Sequence, residues 1–594
     1  MKQLKKIYQR YKKFISNILF PLLLFLYPLV KVNQGIDVSD STYSLSNYLY
    51  FERMEGTWVI STYFSNVFGW LLTRLPYGDT LIGMNLYTGL LVSFLVIFVY
   101  QMLRKWMPDW IIFAGEFIAI GFLWIPTGIL YNYLTYILFT TGALLLYKGL
   151  VEDKNRDLFF AGIALGWNVW VRIPNLAEMA LIVCVWYYCY LQREKWNAMY
   201  LVSKGTGKTV AQKTVIKTGI CIGGYVIGAL IPLCGILMQY GISGIMEMIQ
   251  GLGAIQSGDD SYSIFSMIKA CVDAYVRTGK WVLFIIIGIV FGMAMFFLQR
   301  KKFVFAKKLI YLAGIVVLIR FFWGRGMFSF RYYEDYSSMY EWGMIGLYLG
   351  LIACGYLLFG KGVSKSERLW GMISLVIIMI TPLGSNNYTY QNLNNLFLTA
   401  PVTLYAFVKL FRRQYTVDVQ FMVFPWKAMI AALGFMILVQ SVGFHLTFVF
   451  RDGMDGTPRD TVLTGPFVAA GMKTTRKNAE NLSGLMIYVS MEKEHIKEAV
   501  YFGDCPGLPF LLQVPSAIDS SWPDLDSFAI VQMEQNLMEL KEEPAVIIQK
   551  VEPSSDSFVE KKELLLDYMN EKNYGISYEN EMYIVYQSLE NEQE

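Results

Sequence analysis

Histidine is almost missing from this chain. Its 594 residues include two, His445 and His495, too far apart to match any ligand spacing, which removes a His-based zinc centre from consideration. Charge is scarce as well, at 16% of residues, while 55% are hydrophobic and 16% aromatic. An ordinary soluble domain carries about 25% charged residues, so a row of soluble domains is excluded. The net charge of +4 is too small to suggest a nucleic-acid surface. Seven cysteines show no metal-ligand spacing. Cys184, Cys189, Cys221, Cys234 and Cys354 sit in or beside apolar runs and read as small packing residues. Cys271 and Cys505 fall on one side of the membrane and form a candidate pair. No internal repeat or low-complexity tract stands out. Gly205-Thr206-Gly207-Lys208-Thr209 resembles the end of a phosphate-binding loop, but Val202 occupies the place of the leading glycine, so it reads as a basic loop.

What the chain does have is a succession of apolar runs from Phe14 to Phe450. A helix needs about 20 apolar residues to span a membrane, and roughly thirteen candidates meet or approach that length. They are 15–31, 81–103, 110–126, 129–148, 158–173, 175–191, 217–239, 281–299, 309–323, 341–359, 369–383, 396–411 and 426–449. The first follows Lys2, Lys5, Lys6, Arg10, Lys12 and Lys13 and has no small-residue cleavage site at its exit, which predicts an uncleaved helix. Lys and Arg crowd every second gap, for example Arg104 and Lys105, then Lys148, Lys154 and Arg156, then Arg300, Lys301 and Lys302. By the positive-inside rule these gaps are cytoplasmic, the N-terminus is inside and the C-terminal tail is outside.

Residues 1–450 therefore read as a multi-pass domain with outer loops at 32–79, 241–280 and 324–340. Residues 451–594 read as an extracytoplasmic α/β domain. Ala499–Asp504 and Ala545–Gln549 have the pattern of strands, and Tyr574–Tyr586 alternates in strand fashion. Helical patterns cover Thr475–Tyr488, Ser527–Leu540 and Val559–Asn570. The first outer loop mixes apolar and polar residues over Ser41–Arg74. This predicts short helices on the membrane surface, held by Tyr43, Tyr48, Tyr50, Trp58 and Trp70. In 241–280 the Gly-rich middle, Gln250-Gly251-Leu252-Gly253, reads as a flap over a cavity or as an inert connector.

Chemistry is sought on the outer side. Gly35-Ile36-Asp37-Val38-Ser39-Asp40-Ser41-Thr42-Tyr43 sets two carboxylates just past the first membrane helix. Asp40 has two readings. It is a helix N-cap, or it is a general base that takes a proton from an attacking hydroxyl; Asp37 is the alternative base. Glu116 and Glu178 lie within apolar runs, where a carboxylate is costly and faces a partner or a cavity. Glu178 is two turns from Arg172, a spacing that suits an internal pair. Tyr43, Glu116, Asn132, Tyr133, Asn386 and Asn387 are candidate pocket residues. The loop Ser385–Asn392 offers amides and rings that suit sugar hydroxyls, or it is solvated. Asp259-Asp260 and Glu334-Asp335 hold a divalent cation or are solvated loop charge.

With these features together, the chain resembles the lipid-dependent sugar transferases of the GT-C fold, a group that includes protein O-mannosyltransferases, lipid A aminoarabinose transferases, arabinosyltransferases and oligosaccharyltransferases. The likeness runs over the whole length as architecture. Its local match is the acid of the first outer loop, where many members carry Asp-Glu and this chain has Asp37-Val38-Ser39-Asp40. The resemblance implies a polyprenyl-phosphate sugar donor, an acceptor among cell-envelope glycans, lipids or proteins, and inverting transfer in a bacterial plasma membrane. It implies Asp40 or Asp37 as base. It also implies a cation on the departing phosphate, for which Arg172, Arg320, Arg325 and Arg331 are candidates, snorkelling being the other reading of Arg172 and Arg320. No cofactor is required by this reading, and a divalent cation stays open. The alternative class is a transporter or flippase of lipid-linked saccharides, or a non-catalytic assembly protein. Transporters commonly show related halves, and no repeat between halves stands out here.

Overall fold

The computed structural model describes residues 10–53, 56–202, 208–258, 263–297, 303–332, 337–384, 387–417, 426–453, 456–526 and 528–589. Among them, a helix lies on each apolar segment. Eight helices are long and apolar enough to cross a membrane: Arg10–Leu29, Leu81–Leu103, Leu130–Val151, Ile173–Ala198, Val210–Gly253, Phe265–Gly292, Ser338–Phe359 and Lys427–Thr447. The others, Asp109–Phe122, Asn155–Val169, Val304–Trp323, Lys365–Ile380 and Thr399–Val417, are short or carry several charges. Asp109–Phe122 rises about 21 Å, against an apolar layer of about 30 Å. The chain is a multi-pass helical membrane protein with a small C-terminal sheet region.

Side-chain size sets how the bundle closes. Gly162 and Gly166 face Gly224 and Gly228 of the helix Val210–Gly258 so closely that a Cβ at Gly162 would lie 2.2 Å from the carbonyl of Cys221. Small residues four apart let helix backbones touch in lipid. Elsewhere rings fill the interior: Tyr147 stacks on Trp370 at 3.5 Å, and Trp106 meets Tyr147 edge-on at 4.9 Å. Two long helices, Val210–Gly258 and Ile264–Phe297, reach into 241–280. The backbone breaks at Gly241 (φ 66°), but Gly251 and Gly253 lie within the helix. A Cβ at Gly251 would meet Thr57 Oγ1 at 2.3 Å, so that glycine serves packing.

Basic residues of three gaps, near residues 104, 154 and 217, meet at one end of the bundle. There Arg104 pairs with Asp109 at 3.1 Å, Lys148 with Asp157 at 3.2 Å and Lys217 with Asp153 at 2.5 Å, while Lys105 and Lys154 share Glu152. The first loop and the tail meet each other at the opposite end.

The tail carries two sheets. β1 (Thr461–Val462) and β2 (Lys473–Thr474) pair antiparallel. The larger sheet has β3 (Ala499–Phe502), β4 (Ala545–Gln549), β5 (Tyr574–Glu579) and β6 (Tyr583–Ser588) in the order β3-β4-β6-β5, with only β3 and β4 parallel. Tyr574–Tyr586 is thus two strands of a hairpin and not one strand. Asn580 makes the turn, its Oδ1 accepting the N–H groups of Met582 and Tyr583. The period of two assigns the faces. Val500, Phe502, Val546 and Ile548 pack on Phe558, Leu565 and Met569 of the helix Asp556–Glu571. Ala499, Tyr501, Ala545 and Ile547 join a cluster that also contains Ile36, Leu45, Tyr48, Leu130 and Leu134. One face of the tail sheet therefore shares its core with the first loop and the membrane helices.

The first loop forms the helices Asp40–Leu49, Gly56–Ser61 and Tyr63–Thr73. Tyr48 is not a surface anchor: it is 1% exposed, and its hydroxyl donates to Gly128 O and accepts from Leu130 N, both at 3.1 Å. The candidate pair Cys271 and Cys505 is not bridged; both are free thiols, and Cys505 is buried.

Candidate active site at the seam of the first loop and the tail

Past the first helix the chain turns at Gly35, whose φ of +81° and whose 1.9 Å approach of a Cβ to Val449 Cγ1 leave room for glycine only. Its N–H donates to Lys473 O at 2.7 Å, and Lys473 N returns a bond to Asn33 O at 2.8 Å. The next N–H, of Ile36, donates to Asp452 Oδ2 at 3.0 Å, and Thr474 Oγ1 and Asn478 Nδ2 complete that carboxylate's shell. Asp452 is a structural clasp between loop and tail.

The two first-loop acids then diverge. Asp37 is buried, and its carboxylate accepts from Ser39 N, Ser39 Oγ and Ser41 N at 3.0, 2.6 and 2.7 Å. These bonds satisfy the start of the Asp40–Leu49 helix, so capping falls to Asp37, while Ser39 at the N-cap position makes no side-chain cap bond. Asp40, at the first helical position, keeps its side chain one-third exposed. Its Oδ2 lies 3.4 Å from Arg451 Nε, and Arg451 Nη1 donates to Ser39 Oγ at 2.6 Å. Burial raises the Asp40 carboxyl to about 6; Arg451 opposes the rise, and the charges of Asp37 and Asp504 add to it. Asp504 follows β3 in a left-handed turn (φ 57°), with its N–H on Asp524 Oδ2 at 2.8 Å. Its own carboxyl is raised by burial, against Arg451.

Two glycine and aromatic contacts close the seam. Gly507 N donates to Val38 O at 2.8 Å, and a Cβ at Gly507 would lie 1.7 Å from Thr42 Oγ1. Tyr43 meets Trp522 of the tail edge-on at 5.4 Å.

From Asp40 a chain of rings runs inward. The Arg451 guanidinium lies 5.8 Å from the Phe450 ring, Phe450 lies 5.3 Å from Trp124, and Trp124 lies 5.5 Å from Tyr390. Beside Tyr390, Gln391 accepts a hydrogen bond from the Tyr136 hydroxyl. Here a second polar cluster is buried. Asn168 Nδ2 donates to Glu178 Oε2 at 2.7 Å, and Asn175 Nδ2 donates to Thr135 Oγ1 at 2.7 Å. Arg172 Nε, Asn392 Nδ2 and Asn394 Oδ1 are buried with no hydrogen-bond partner among the described residues. A group that brings acceptors to Arg172 and Asn392 would satisfy them.

The remaining candidates scatter. Arg172 and Glu178 form no ion pair among the described residues; Glu178 is held by Asn168 instead. Tyr133 is buried, its hydroxyl bonded to Thr127 at 2.7 Å and Trp124 O at 2.5 Å, and Asn132 is half-buried beside it. Glu116 is fully buried within the bundle, with neither oxygen bonded among the described residues. Arg320, Arg325 and Arg331 are exposed, Arg325 lying 5.5 Å from the Phe321 ring. Among the described residues, Arg172, Arg320 and Arg325 make no hydrogen bond or ion pair with Asp40, and the cation beside it is Arg451. Asn387 is exposed. Asn386, Asp259-Asp260 and Glu334-Asp335 lie outside the described residues. Among the described residues, no group of three or more His, Cys, Asp or Glu side chains could hold a metal ion.

Sequence reasoning missed Arg451, Asp504 and Trp522. Arg451 had a signal, as a cation placed directly after the last membrane helix. Asp504 had a weaker one, as an acid in the turn that ends a strand.

No protein-family profile and no curated protein sequence matches the chain. Among solved structures, the chain is similar to the Archaeoglobus fulgidus oligosaccharyltransferase complexed with zinc and sulfate. The identity is 10%, the match covers 96% of this chain and 73% of that one, and the TM-score is 0.43. It is similar also to that enzyme tethered by a disulfide to an acceptor peptide containing the NVT sequon, at 10% identity, with 98% and 74% covered and a TM-score of 0.42.

Proposed function

We propose that this chain is a membrane glycosyltransferase of the GT-C type, which moves a sugar from a polyprenyl-phosphate donor to a cell-envelope glycan, lipid or protein on the side where the first loop and tail meet. The observation that carries the reading is Asp40: a half-open carboxylate at the seam, raised to about 6 and held in place by Arg451. A base of that strength is ionised near neutral pH and still accepts a proton.

In the proposed step, Asp40 takes the proton of an acceptor hydroxyl as its oxygen attacks the anomeric carbon. The bond from that carbon to the phosphate oxygen breaks on the opposite face, so the configuration inverts. The phosphate leaves with the bonding electrons, and Arg172, with its uncommitted Nε, receives the charge. Arg320, Arg325 and Arg331 are weaker candidates for that role. Tyr43 and the Asn387 loop contact acceptor and donor sugars, and residues 451–594 act as an extracytoplasmic domain that positions the acceptor. A divalent cation stays open in this reading, with no group of three or more acidic, His or Cys side chains to hold it among the described residues. No step is therefore drawn through a metal.

The test compares Asp40→Asn with Asp37→Asn in isolated membranes, with transfer from a polyprenyl-phosphate sugar as the readout. The reading requires Asp40→Asn to abolish transfer at unchanged protein level. Normal transfer by both variants would sink it, and movement of the lipid-linked saccharide without chemical change would replace it with a flippase.

A further inference from the structure

A separate cleft lies where the first helix, the last membrane helix and the tail adjoin. It has a volume of about 490 Å³ and is lined by Lys31, Asn33, Gln34, Leu446, Thr447 and Arg459.

Its polar wall is a set of donors. Lys31 enters in a left-handed turn (φ 68°), and its ammonium donates to Phe448 O at 2.6 Å. An ammonium has three N–H groups, so two remain for another acceptor. Arg459 is fixed by Nη1 to Asp452 O at 2.9 Å and by Nη2 to Thr447 O at 2.6 Å, and both bonds end on carbonyls. The backbone of Asn33 and Gln34 is tied to Lys473, while their side-chain amides make no hydrogen bond among the described residues. Arg459, the Lys31 amine and two amides thus line one opening. Burial, and then Arg459 beside it, lower the Lys31 ammonium to about 7, so a bound anion would favour its charged form. The nearby Asp452 carboxylate is bonded to Ile36, Thr474 and Asn478.

Among the lining residues, Leu446 is the apolar one. Leu446 is half exposed at the end of the last helix. On the first helix Leu22, Leu23 and Leu26 are 50%, 41% and 49% exposed. The two helices meet just below the cleft, where His445 Nε2 lies 2.9 Å from Tyr27 O. A donor-lined opening above exposed leucines matches a molecule with an anionic head and an acyl tail.

We propose that this cleft binds the phosphate headgroup of an anionic membrane lipid. Lys31 and Arg459 hold the phosphate oxygens, the amides of Asn33 and Gln34 meet headgroup hydroxyls, and the acyl chains follow Leu446 and Leu26 into the bilayer. Arg suits phosphate by its planar fork and Lys as a point charge. A free phosphate ion would gain nothing from the leucines. The bound lipid would brace Arg459, hence the segment that carries Asp452 and Arg451. This inference is independent of the transfer chemistry.

The experiment uses the purified full-length chain in detergent, with native mass spectrometry to count bound lipid and thermal melting to read stability. The probes are dioctanoyl phosphatidylglycerol, dioctanoyl phosphatidylcholine and inorganic phosphate. The expected result is one phosphatidylglycerol per chain, retained at least about tenfold better than phosphatidylcholine, whose phosphate is the same but whose trimethylammonium is repelled by the cationic wall and offers no hydroxyl to the amides of Asn33 and Gln34; a factor of ten equals about 1.4 kcal/mol. Lys31→Gln with Arg459→Gln should abolish that preference. Because those side chains also brace carbonyls, Asn33→Leu with Gln34→Leu is the second variant; it leaves the fold's own bonds intact and should weaken retention several-fold. Equal retention by both double variants, no preference over phosphatidylcholine, or equal protection by inorganic phosphate would overturn the proposal.

Discussion

The two ends of the membrane bundle handle charge in opposite ways. At the basic end Asp109, Glu152, Asp153 and Asp157 each have a cation close by: Glu152 receives both Lys105 and Lys154, and these pairs hold its carboxyl down to about 2. At the seam, acids outnumber the nearest cation. Asp40 and Asp504 both face Arg451, Asp37 adds its charge to Asp40, and the Asp40 carboxyl rises. Pairing at the first end anchors helices. Incomplete pairing at the second leaves a carboxylate able to exchange a proton near neutral pH, as a functional group requires.

The sharpest break of this contrast is Asp40→Asn. Transfer should fall by about 10² to 10⁴-fold, the usual scale of a lost general base, with the melting profile preserved. Next in size is Gly507→Ala. Its new methyl meets Thr42, and overpacking of this kind costs about 1–3 kcal/mol, read as a lower melting temperature. Asp37→Asn should destabilise by about 1–2 kcal/mol through the weakened cap, while the folded fraction still transfers. Arg451→Gln and Asp504→Asn are smaller and opposite. Transfer should rise with pH to a plateau above about 6 in the parent chain. Losing the cation moves that inflection up, and losing the neighbouring acid moves it down, which a pH–rate profile separates. The sign for stability follows too. Because the folded carboxyl of Asp40 sits above its ordinary 3.8, its contribution is present below that value and is lost as pH rises through about 6. Smallest is Glu152→Gln at the far end, where transfer should be unchanged and melting nearly so, since its partners are largely solvent-exposed.

Much of the architecture was legible along the chain. Hydrophobic length is a local property, and lipid enforces it residue by residue, so each apolar run corresponds to a helix. Tail strands at Ala499 and Ala545 followed from β-rich apolar runs, whereas the hairpin at Asn580 did not, because strand alternation continued through the turn. The candidate site was half legible. Asp40 stood out as an acid beside a membrane helix, but so did Asp37. The capping role could not be assigned from sequence, since both acids lie within reach of the same helix start. Arg451 and Asp504 come from more than 400 residues further on, and no spacing rule joins them to Asp40.

By itself, then, the amino-acid order determined a helical membrane chain with alternating charged gaps and an acid-bearing first loop, because burial in lipid is decided over windows of about 20 residues. Tertiary structure alone decided which acid is spent on the backbone and which stays open. It did so by folding the tail sheet onto the first loop, where shared apolar packing brings Arg451 and Asp504 to Asp40 and sets the balance of burial and charge there.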